Sequence, residues 1–504
     1  MTRRLSLLLL LLPALLLLAG ILAQAGGLTY TLDDPYIHLR VAENLGRQGH
    51  YGINPGELSA PASSILWPFL LLPATWMGSL GDWLPLLLTS LALLFTLDVL
   101  LRWLRGLFTP ATALMLALLL ALALNFYGLA FTGMEHSLQV LLALLVAIAV
   151  ATPGSPSARW LHPALILLPL VRYDSLAVTV PALLWLAWQG DWRSALRSGL
   201  LSLLLPLLFS LWLHSHDLGW LPASVRLKSD FMNPNNPLWQ TLVYKAWVNT
   251  PFEFGMLTLL LLSLWLAERQ RWPGRHRLWL ALLACGLHFF FGLSNQQSRY
   301  EVQVHTFALI MLLATWRDAR PQAPRLELGG LLILILASHA WQLRCTLLAP
   351  LAAHNINAQQ GQLARLARDF LREPVAVNDI GLMSWRSSLP VLDLVGLGSP
   401  EVVNLRYRHP EGTPWVGELM RRHGVHHAFI YDDWFPERPT HFLPVARLVF
   451  PGDPVGPARN TVALYADSPA AAARLRQAVI RYQLAAGKDN GFILAQHAYQ
   501  PDTH

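Results

Sequence analysis

Eleven apolar runs separated by short connections occupy the first two thirds of this 504-residue chain. A bilayer requires about 20 apolar residues per helix, so repeated runs near that length predict membrane-spanning helices. Charged residues make up only 13% of the chain, against ~25% in soluble domains, which excludes an ordinary soluble globule and a disordered chain. The runs are residues 5–25, 84–101, 111–130, 138–151, 160–171, 176–188, 200–213, 254–266, 278–293, 302–316 and 328–343.

The basic residues predict how these spans are oriented. Arginines concentrate in alternate connections, at residues 102–105, 159, 193–197, 269–277 and 317–325, as the positive-inside rule requires of cytoplasmic loops. Residues 23–25 resemble a signal-peptidase site, but we expect the first run to remain as a span rather than to be a cleaved leader. The N-terminus is then cytoplasmic and the C-terminus is outside. This topology requires that the apolar stretch 65–76 lies on the outer surface or re-enters without crossing.

The character of the chain changes at about residue 350. Apolar runs shrink to strand length at residues 375–377, 391–394, 428–431, 445–449 and 462–465, and helix-like stretches occur at 359–371 and 469–484. Alternating strands and helices predict a small α/β domain. The predicted fold is therefore a polytopic α-helical membrane domain over residues 1–349, with a first outer loop at about 26–82, followed by an outer α/β domain over residues 350–504.

Polar residues gather at the predicted outer ends of the spans. Ionisable groups at a bilayer boundary are costly unless they are paired or solvated, so each group is a candidate for function. No phosphate-cradling GxxxxGK[ST] loop, GxGxxG turn, CxxC pair or serine nucleophile elbow occurs, so ATP-driven transport and nicotinamide chemistry lack support. The net charge of +7 comes largely from arginines in the connections between the spans. This placement predicts that the chain interacts with a lipid bilayer and not with nucleic acid. The outer-end candidates are Asp33, Asp34, Glu135, Arg172, Asp174, Lys228 and Arg299.

The adjacent carboxylates Asp33 and Asp34 follow the first span and precede an amphipathic helix that begins near Tyr36. One of them could act as a general base on a hydroxyl, or the pair could hold a divalent cation such as Mg, Mn or Ca. The alternative is a solvated helix cap, because aspartate favours helix starts and complements the helix dipole there.

Three cations could bind a phosphate or pyrophosphate, namely Arg172, Lys228 and Arg299. The alternative is snorkelling to the interface or pairing with nearby acids such as Asp174. Glu135 could be a second catalytic or metal carboxylate, or a cap after Gly133. The histidines, His38 among them, could shuttle protons, but no His spacing supports a metal site.

Several motifs resemble the membrane glycosyltransferases of the GT-C superfamily that use polyprenyl-phosphate sugars. The resemblance is nearest to the mycobacterial terminal arabinofuranosyltransferase type and its uncharacterised bacterial relatives. It is carried by Asp33-Asp34-Pro35-Tyr36-Ile37, Asn54-Pro55-Gly56-Glu57, Gly133-Met134-Glu135, Arg172-Tyr173-Asp174 and the stretches 378–381 and 389–397. Pro35 and Tyr173 depart from the family pattern.

The resemblance implies an inverting transfer of sugar from a polyprenyl-phosphate donor to a hydroxyl of a glycan, lipid or protein, at the periplasmic face of a bacterial inner membrane. It implies Asp33 as first choice for the base and Asp34 as second. A lipid phosphate at the membrane surface needs cations, which Arg172, Lys228 and Arg299 could supply, and we expect substrate contacts from Glu135, Asp174, Tyr36 and His38. The alternatives are a transporter or flippase of lipid-linked glycans, which would carry charges in mid-span, and a non-catalytic glycan-binding subunit.

Overall fold

In the computed structural model the chain is described over residues 2–229, 235–294, 297–409, 412–487 and 491–495. All eleven apolar runs are helical, and the breaks within them fall at Asn125 and His339. The helices up to residue 347 are α1 Arg3–Ala25, α2 Asp34–Gln48, α3 Leu66–Leu70, α4 Leu84–Leu107, α5 Pro110–Ala123, α6 Phe126–Ala130, α7 His136–Ala151, α8 Leu161–Val171, α9 Leu176–Trp188, α10 Trp192–Ser215, α11 Ala223–Ser229, α12 Leu238–Arg269, α13 His276–Phe291, α14 Val302–Ala319, α15 Arg325–Ser338 and α16 Ala340–Leu347.

The helical bundle presents leucine-rich surfaces that water cannot solvate favourably. On α10, Leu200 is 62% exposed, and on α1, Leu8 is 66% exposed. Apolar surface this extensive requires a lipid or protein cover. Among the described residues four helices (α1, α10, α12 and the helical segment ending with α4) are long and apolar enough to cross a membrane, and α15 with α16 adds a fifth if that pair, bent by 66°, is one span. The chain is therefore an integral membrane protein, and the expected number of eleven spans stays a prediction.

The two ends of the bundle carry different polar groups. At one end Arg3 at the start of α1 pairs with Asp98 near the end of α4 at 2.7 Å, and Arg277 pairs with Asp318 at 2.5 Å. The predicted outer groups lie at the other end, where α1 finishes and α14 begins. These arginines and the candidate site residues therefore lie at opposite ends of the bundle, and the orientation of the two ends in the membrane stays a prediction.

The apolar stretch 65–76 forms no long helix. It comprises α3 and a 3-10 helix over Leu72–Trp76, followed by a second 3-10 helix over Gly78–Trp83. Prolines at positions 68 and 73 remove backbone donors that a continuous helix would need. Trp76 is 70% exposed and Leu80 is 64% exposed, as expected of a segment lying on the membrane surface.

The C-terminal region is a three-layer α/β unit. Strand order is β2-β1-β3-β5-β4-β6, with β1 parallel to β2 and β3 and the other pairs antiparallel. The first five strands were expected from the sequence, and β6 was not. The helices are α17 Ala349–Ile356, α18 Gln362–Arg365, α19 Gly381–Ser384, α20 Pro400–Arg408, α21 Val416–Arg422 and α22 Pro469–Ala486, with π-helical turns at Asn357–Gly361 and Leu366–Leu371; the strands are β1 Val375–Val377, β2 Val391–Asp393, β3 His427–Ile430, β4 Leu443–Val449, β5 Thr461–Ala466 and β6 Phe492–Leu494.

The sheet alternates its apolar side chains between two cores, as a period of two requires. Val375 and Val377 face the helical segment 357–371 and α22, whereas Ala376 faces α20 and α21. The first of these cores also includes Ile37 and Val41 of α2. The C-terminal unit therefore shares a hydrophobic core with the first loop of the membrane part, and this shared packing positions the site.

Candidate functional site

Asp33 joins the membrane part to the C-terminal unit. Its carboxylate makes no capping bond within α2; instead it accepts hydrogen bonds from the backbone N–H of Gly381 at 2.6 Å and of Leu382 at 2.8 Å. These N–H groups open the short helix α19, so Asp33 caps a helix that lies 348 residues further along the chain. The alternative of a solvated cap at the start of α2 is therefore wrong for Asp33, because its carboxylate is bonded to a helix distant in the chain.

The environment of Asp33 favours its neutral form. Burial and the nearby carboxyl of Asp379 raise the pKa of Asp33 to about 8, although the two backbone hydrogen bonds oppose this shift. Burial raises the pKa of Asp379 as well. The Asp379 carboxylate accepts hydrogen bonds from Tyr431 at 2.8 Å and from Gln360 at 2.9 Å. Burial and the negative charge of a nearby carboxyl thus favour the protonated form of Asp33 at neutral pH.

Asp34 has the opposite environment. Its Oδ2 lies 2.6 Å from Nη2 of Arg299 and 3.8 Å from Nζ of Lys228. Burial alone would raise the pKa of Asp34, but the two cations outweigh it and hold the pKa below its usual value. Asp34 is therefore ionised, and 27% of its side chain remains exposed. The adjacent aspartates thus carry different charges at neutral pH.

Tyr300 organises the cations and was not anticipated from the sequence. The guanidinium carbons of Arg172 and Arg299 each lie 4.9 Å from its ring centroid, and its hydroxyl lies 3.4 Å from Nζ of Lys228. Burial raises the pKa of the Tyr300 phenol, but these three cations outweigh it and hold the pKa below its ordinary value. In the sequence, the one indication of this role was the position of Tyr300 directly after Arg299.

Arg172 is held in place by two carboxylates. Its Nε and Nη2 contact Asp174 at 2.9–3.1 Å, and its Nη1 donates to Glu135 at 2.8 Å. Ser63 donates to the same Glu135 oxygen at 3.0 Å. Arg172 is therefore paired with two acids, whereas Nζ of Lys228 lies 3.8 Å from Asp34.

The two remaining expected substrate contacts lie in different surroundings. His38 is buried, and its Nε2 lies 3.8 Å from Glu135, so it belongs to the same polar group. Burial lowers the pKa of His38 despite the nearby acid. Tyr36 instead packs edge-on against Tyr30 in a hydrophobic cluster, and its hydroxyl accepts a hydrogen bond from the backbone N–H of Tyr30. Tyr36 therefore supports the fold of the loop and lies outside the cationic group.

A cavity of about 360 Å³ adjoins these cations. Its polar end is formed by Ser63, Arg172, Asp174, Lys228 and Tyr300. Its other end is apolar and lies between α9 and α13, where Val180 and Phe291 are 38% and 58% exposed on the lipid-facing surface. The cavity is thus amphipathic, and its apolar end reaches the face of the bundle that lipid covers. The residues of its apolar end are Leu176, Ala177, Val180, Leu287, Phe291 and Leu293.

Polar residues at four-residue spacing form a buried stripe on α12. Lys245 donates to the backbone oxygen of Lys228 at 2.9 Å, Asn249 accepts from the backbone N–H of Ser294 at 3.1 Å, and Glu253 accepts from the Ser294 hydroxyl at 2.9 Å. The stripe therefore contacts the backbone on both sides of the cavity. Sequence analysis missed it, although polar residues recurring every fourth position in an apolar helix are a detectable signal.

Other motif residues bridge the two parts of the chain or shape turns. Asn54 pairs through its amide with both backbone groups of Val391, at 2.9 and 3.0 Å. Gly133 has φ +66°, and a Cβ there would approach the Tyr30 ring to 2.6 Å. Asp393 accepts three backbone N–H bonds from the turn at residues 395–398.

The carboxylate oxygens of Asp33 and Asp34 do not fit the requirements of a metal site. Both oxygens of Asp33 accept backbone N–H bonds, and Asp34 is paired with cations. Over the residues that the structure describes, no group of three or more His, Cys, Asp or Glu side chains is arranged to hold a metal ion. The carboxylates are thus committed to contacts that a divalent cation would have to displace.

The fold and the site define a class: an integral membrane protein whose amphipathic cavity ends in cations beside one ionised and one neutral aspartate. A family described as "Domain of unknown function (DUF8728)" matches residues 354–465, within the C-terminal unit. A search of curated proteins finds no match.

Two solved structures are similar to the chain. One is apo ArnT from Cupriavidus metallidurans, at 13% identity over 92% of this chain and 98% of that chain, with a TM-score of 0.49. The other is the Archaeoglobus fulgidus oligosaccharyltransferase in complex with zinc and sulfate, at 12% identity over 94% and 76%, with a TM-score of 0.39. At TM-scores below 0.5 these likenesses assign neither a fold family nor an activity. The expected arabinofuranosyltransferase type is not confirmed.

Proposed function

We propose that this protein is a GT-C-type membrane glycosyltransferase that moves a sugar from a polyprenyl-phosphate donor to an acceptor hydroxyl. The observation that carries the proposal is the amphipathic cavity beside the aspartate pair. A polyprenyl phosphate has an anionic head on a long apolar chain, and the cavity offers Lys228 at one end and a lipid-facing apolar channel at the other. The sugar arrives on its leaving group, so no nucleotide site is required.

The donor phosphate is proposed to contact Lys228 and Arg299. Lys228 lines the polar end of the cavity, and Arg299 contacts the same Asp34 oxygen as Lys228. Charge-assisted hydrogen bonds to phosphate are among the stronger polar contacts. Arg172, already paired with Glu135 and Asp174, supports the head site by holding the Tyr300 ring. Its contribution is therefore chiefly to position the aromatic ring between the cations.

Asp34 is the better candidate for the base, although the resemblance ranked Asp33 first. A base must be unprotonated, and the pKa of about 8 at Asp33 favours its neutral form at pH 7. Asp34 is ionised and borders the cationic head. When a phosphate shares Arg299 and Lys228, these cations stabilise the Asp34 carboxylate less, so its pKa rises toward the range that suits a base.

The proposed reaction is a single displacement at the anomeric carbon of the sugar. The acceptor oxygen attacks the anomeric carbon, the bond from that carbon to the phosphate oxygen breaks, and polyprenyl phosphate leaves. The acceptor proton passes to Asp34. Attack opposite the leaving group inverts the anomeric configuration. No step passes through a metal ion, and the acceptor can be a glycan, a lipid or a protein.

The arginine distribution supports the cellular setting of this proposal. The arginine-rich end of the bundle is proposed to face the cytoplasm, with the N-terminus, and the cavity end and C-terminal unit to face the periplasm of a bacterial inner membrane. Eleven spans satisfy this arrangement. The bilayer supplies the donor laterally to the exposed apolar end of the cavity.

Transfer from a panel of radiolabelled polyprenyl-phosphate sugars by the purified full-length chain tests the proposal. Asp34→Asn should abolish transfer while leaving membrane insertion intact, and chelator should not reduce transfer. The matched control is Asp433→Asn, because Asp433 is an exposed aspartate that pairs with Arg459 away from the cavity. Full activity of Asp34→Asn would remove Asp34 as the base.

One observation favours a second candidate, a flippase of lipid-linked glycans. Glu253 lies in the middle of the 32-residue α12 and is buried against His305 at 2.8 Å, and intramembrane charges are typical of transporters. A fluorescent polyprenyl phosphate in vesicles with an impermeant quencher separates the two functions. Protein-dependent flipping without transfer from any donor would favour the flippase.

A further inference from the structure

A second cleft lies along α2, and it is lined almost entirely by polar side chains. It has a volume of about 390 Å³ and lies between α2, Pro55 and the segment 386–388. Three arginines line it, Arg40, Arg47 and Arg386, against one acidic residue, Glu43. Arg386 also pairs with Asp82 at 3.2 Å, so the three arginines exceed the acids beside them by one charge, and this balance favours an anionic group.

The arginines are held in fixed positions. The Arg40 side chain is only 7% exposed, its Nε donates to the backbone oxygen of Ile53 at 2.9 Å, and its Nη1 contacts Glu43 at 2.8 Å. Arg386 has φ +55°, a left-handed backbone conformation that costs energy in residues with a side chain. Preorganised guanidinium groups bind phosphate oxygens well because little rotamer entropy is lost.

The cleft borders the membrane-surface segment. Arg47 donates to the backbone oxygen of Thr75 at 3.2 Å, and Arg386 donates to that of Gly78. Between these two residues lies Trp76, 70% exposed, and Leu80, 64% exposed, follows directly. Apolar side chains that enter the bilayer therefore lie within a few residues of the guanidinium groups. A phosphate bound there would stand at the depth of lipid headgroups.

We propose that this cleft binds the headgroup of an anionic phospholipid from the leaflet on the side of the C-terminal unit. The phosphate contacts Arg47 and Arg386, with buried Arg40 behind them, and the acyl chains extend past Trp76 into the bilayer. A free phosphate offers the same head chemistry but cannot use the apolar surface. The lipid site is separate from the cavity at Lys228, so it does not depend on the proposed transfer activity.

Native mass spectrometry of the detergent-purified full-length chain, titrated with phosphatidylglycerol or phosphatidylcholine, tests the proposal. At ~1 kcal/mol per cation near a lipid headgroup, loss of two arginines should weaken phosphatidylglycerol binding by about 30-fold. The variant is Arg47→Gln with Arg386→Gln. The matched control is Arg421→Gln with Arg422→Gln, which removes the same charge from exposed positions on α21.

The expected result is preferential retention of phosphatidylglycerol by the wild type and by the control, and its loss in the Arg47 and Arg386 variant. Arg47→Gln alone, at a side chain 59% exposed, gives the answer if the double variant does not fold. Equal binding of the two lipids by the wild type would overturn the proposal. So would unchanged binding in the variants, or displacement of the lipid by inorganic phosphate as readily as by phosphatidylglycerol, which would indicate a site for soluble anions.

Discussion

Replacing Asp33 by asparagine should make the contact between the membrane part and α19 insensitive to pH. In the wild type, burial and Asp379 raise the pKa of Asp33 to about 8, whereas an exposed aspartate titrates near ~3.9. The closed state therefore binds the proton more tightly than the opened state. The stabilisation that this proton supplies is complete below about pH 4 and is lost as pH rises through about 8.

The size of the effect follows from the two pKa values. Between pH 6 and pH 8 the free energy of opening at Asp33 should fall by about 2 kcal/mol, which is a factor of about 50 in the opening equilibrium. Asparagine carries no titrating proton, so this part of the pH dependence disappears. It keeps one oxygen for the N–H of Gly381 or Leu382, and loss of the second bond costs about 1 kcal/mol at every pH.

Hydrogen exchange measured by mass spectrometry on peptides covering residues 378–385 reports this opening directly. After correction for the intrinsic rate, protection in the wild type should fall about 50-fold from pH 6 to pH 8. Asp33→Asn should be less protected at pH 6 and nearly flat. Asp433→Asn serves as the control and should follow the wild type. Parallel pH profiles for Asp33→Asn and the wild type would refute the raised pKa assigned to Asp33.

Three further changes test the packing around the site. Gly381→Ala would place a Cβ against the backbone oxygen of Asp33 and should destabilise the packing of the C-terminal unit by about 1–3 kcal/mol, seen as faster limited proteolysis. Gly329→Ala, which has open space around it, should not speed proteolysis. Equal proteolysis rates for the two variants would be inconsistent with the close approach of Gly381 to Asp33. Lys228→Met should raise the donor KM about 10- to 100-fold with little change in kcat, and an unchanged KM would remove it from the head site. Glu253→Leu should lower the thermal unfolding midpoint, because it removes buried hydrogen bonds at a cost of about 1–3 kcal/mol. Glu253→Gln can still accept the hydrogen bond from Ser294 and should lower the midpoint less. A leucine variant as stable as the wild type would show that these buried hydrogen bonds contribute little to stability.

Local pattern was enough to predict much of the fold. Apolar runs mark the helices because a helix in a bilayer must satisfy its own backbone bonds, and strand-length runs mark β1 to β5. The stretch 65–76 was expected not to cross, and it consists of two short helices, the second of which begins beside Pro73. β6 and α20 were not predicted; α20 is a short polar helix and carries too little periodicity.

The sequence predicted which residues belong to the candidate site better than it predicted the contacts among them. The sequence indicated that Asp34, Arg299 and Lys228 belong together, because each follows or precedes a span on one side of the membrane. It could not assign Tyr300 between the cations, nor the inward stripe on α12, because these roles depend on which helix faces are turned toward one another. Tyr36 was expected at the substrate and instead supports the loop through its contact with Tyr30.

The sequence alone determined that this chain enters a membrane, where its apolar helices lie, and that an α/β unit follows, because these properties depend on composition and on periodicity over neighbouring residues. Only the tertiary structure decided that Asp33 and Asp34, adjacent in the chain, have opposite protonation. Asp33 meets the N–H groups of residues 381 and 382 and the carboxyl of Asp379, whereas Asp34 meets Arg299. Charge state depends on burial and on neighbours brought from hundreds of residues away, which no local pattern records.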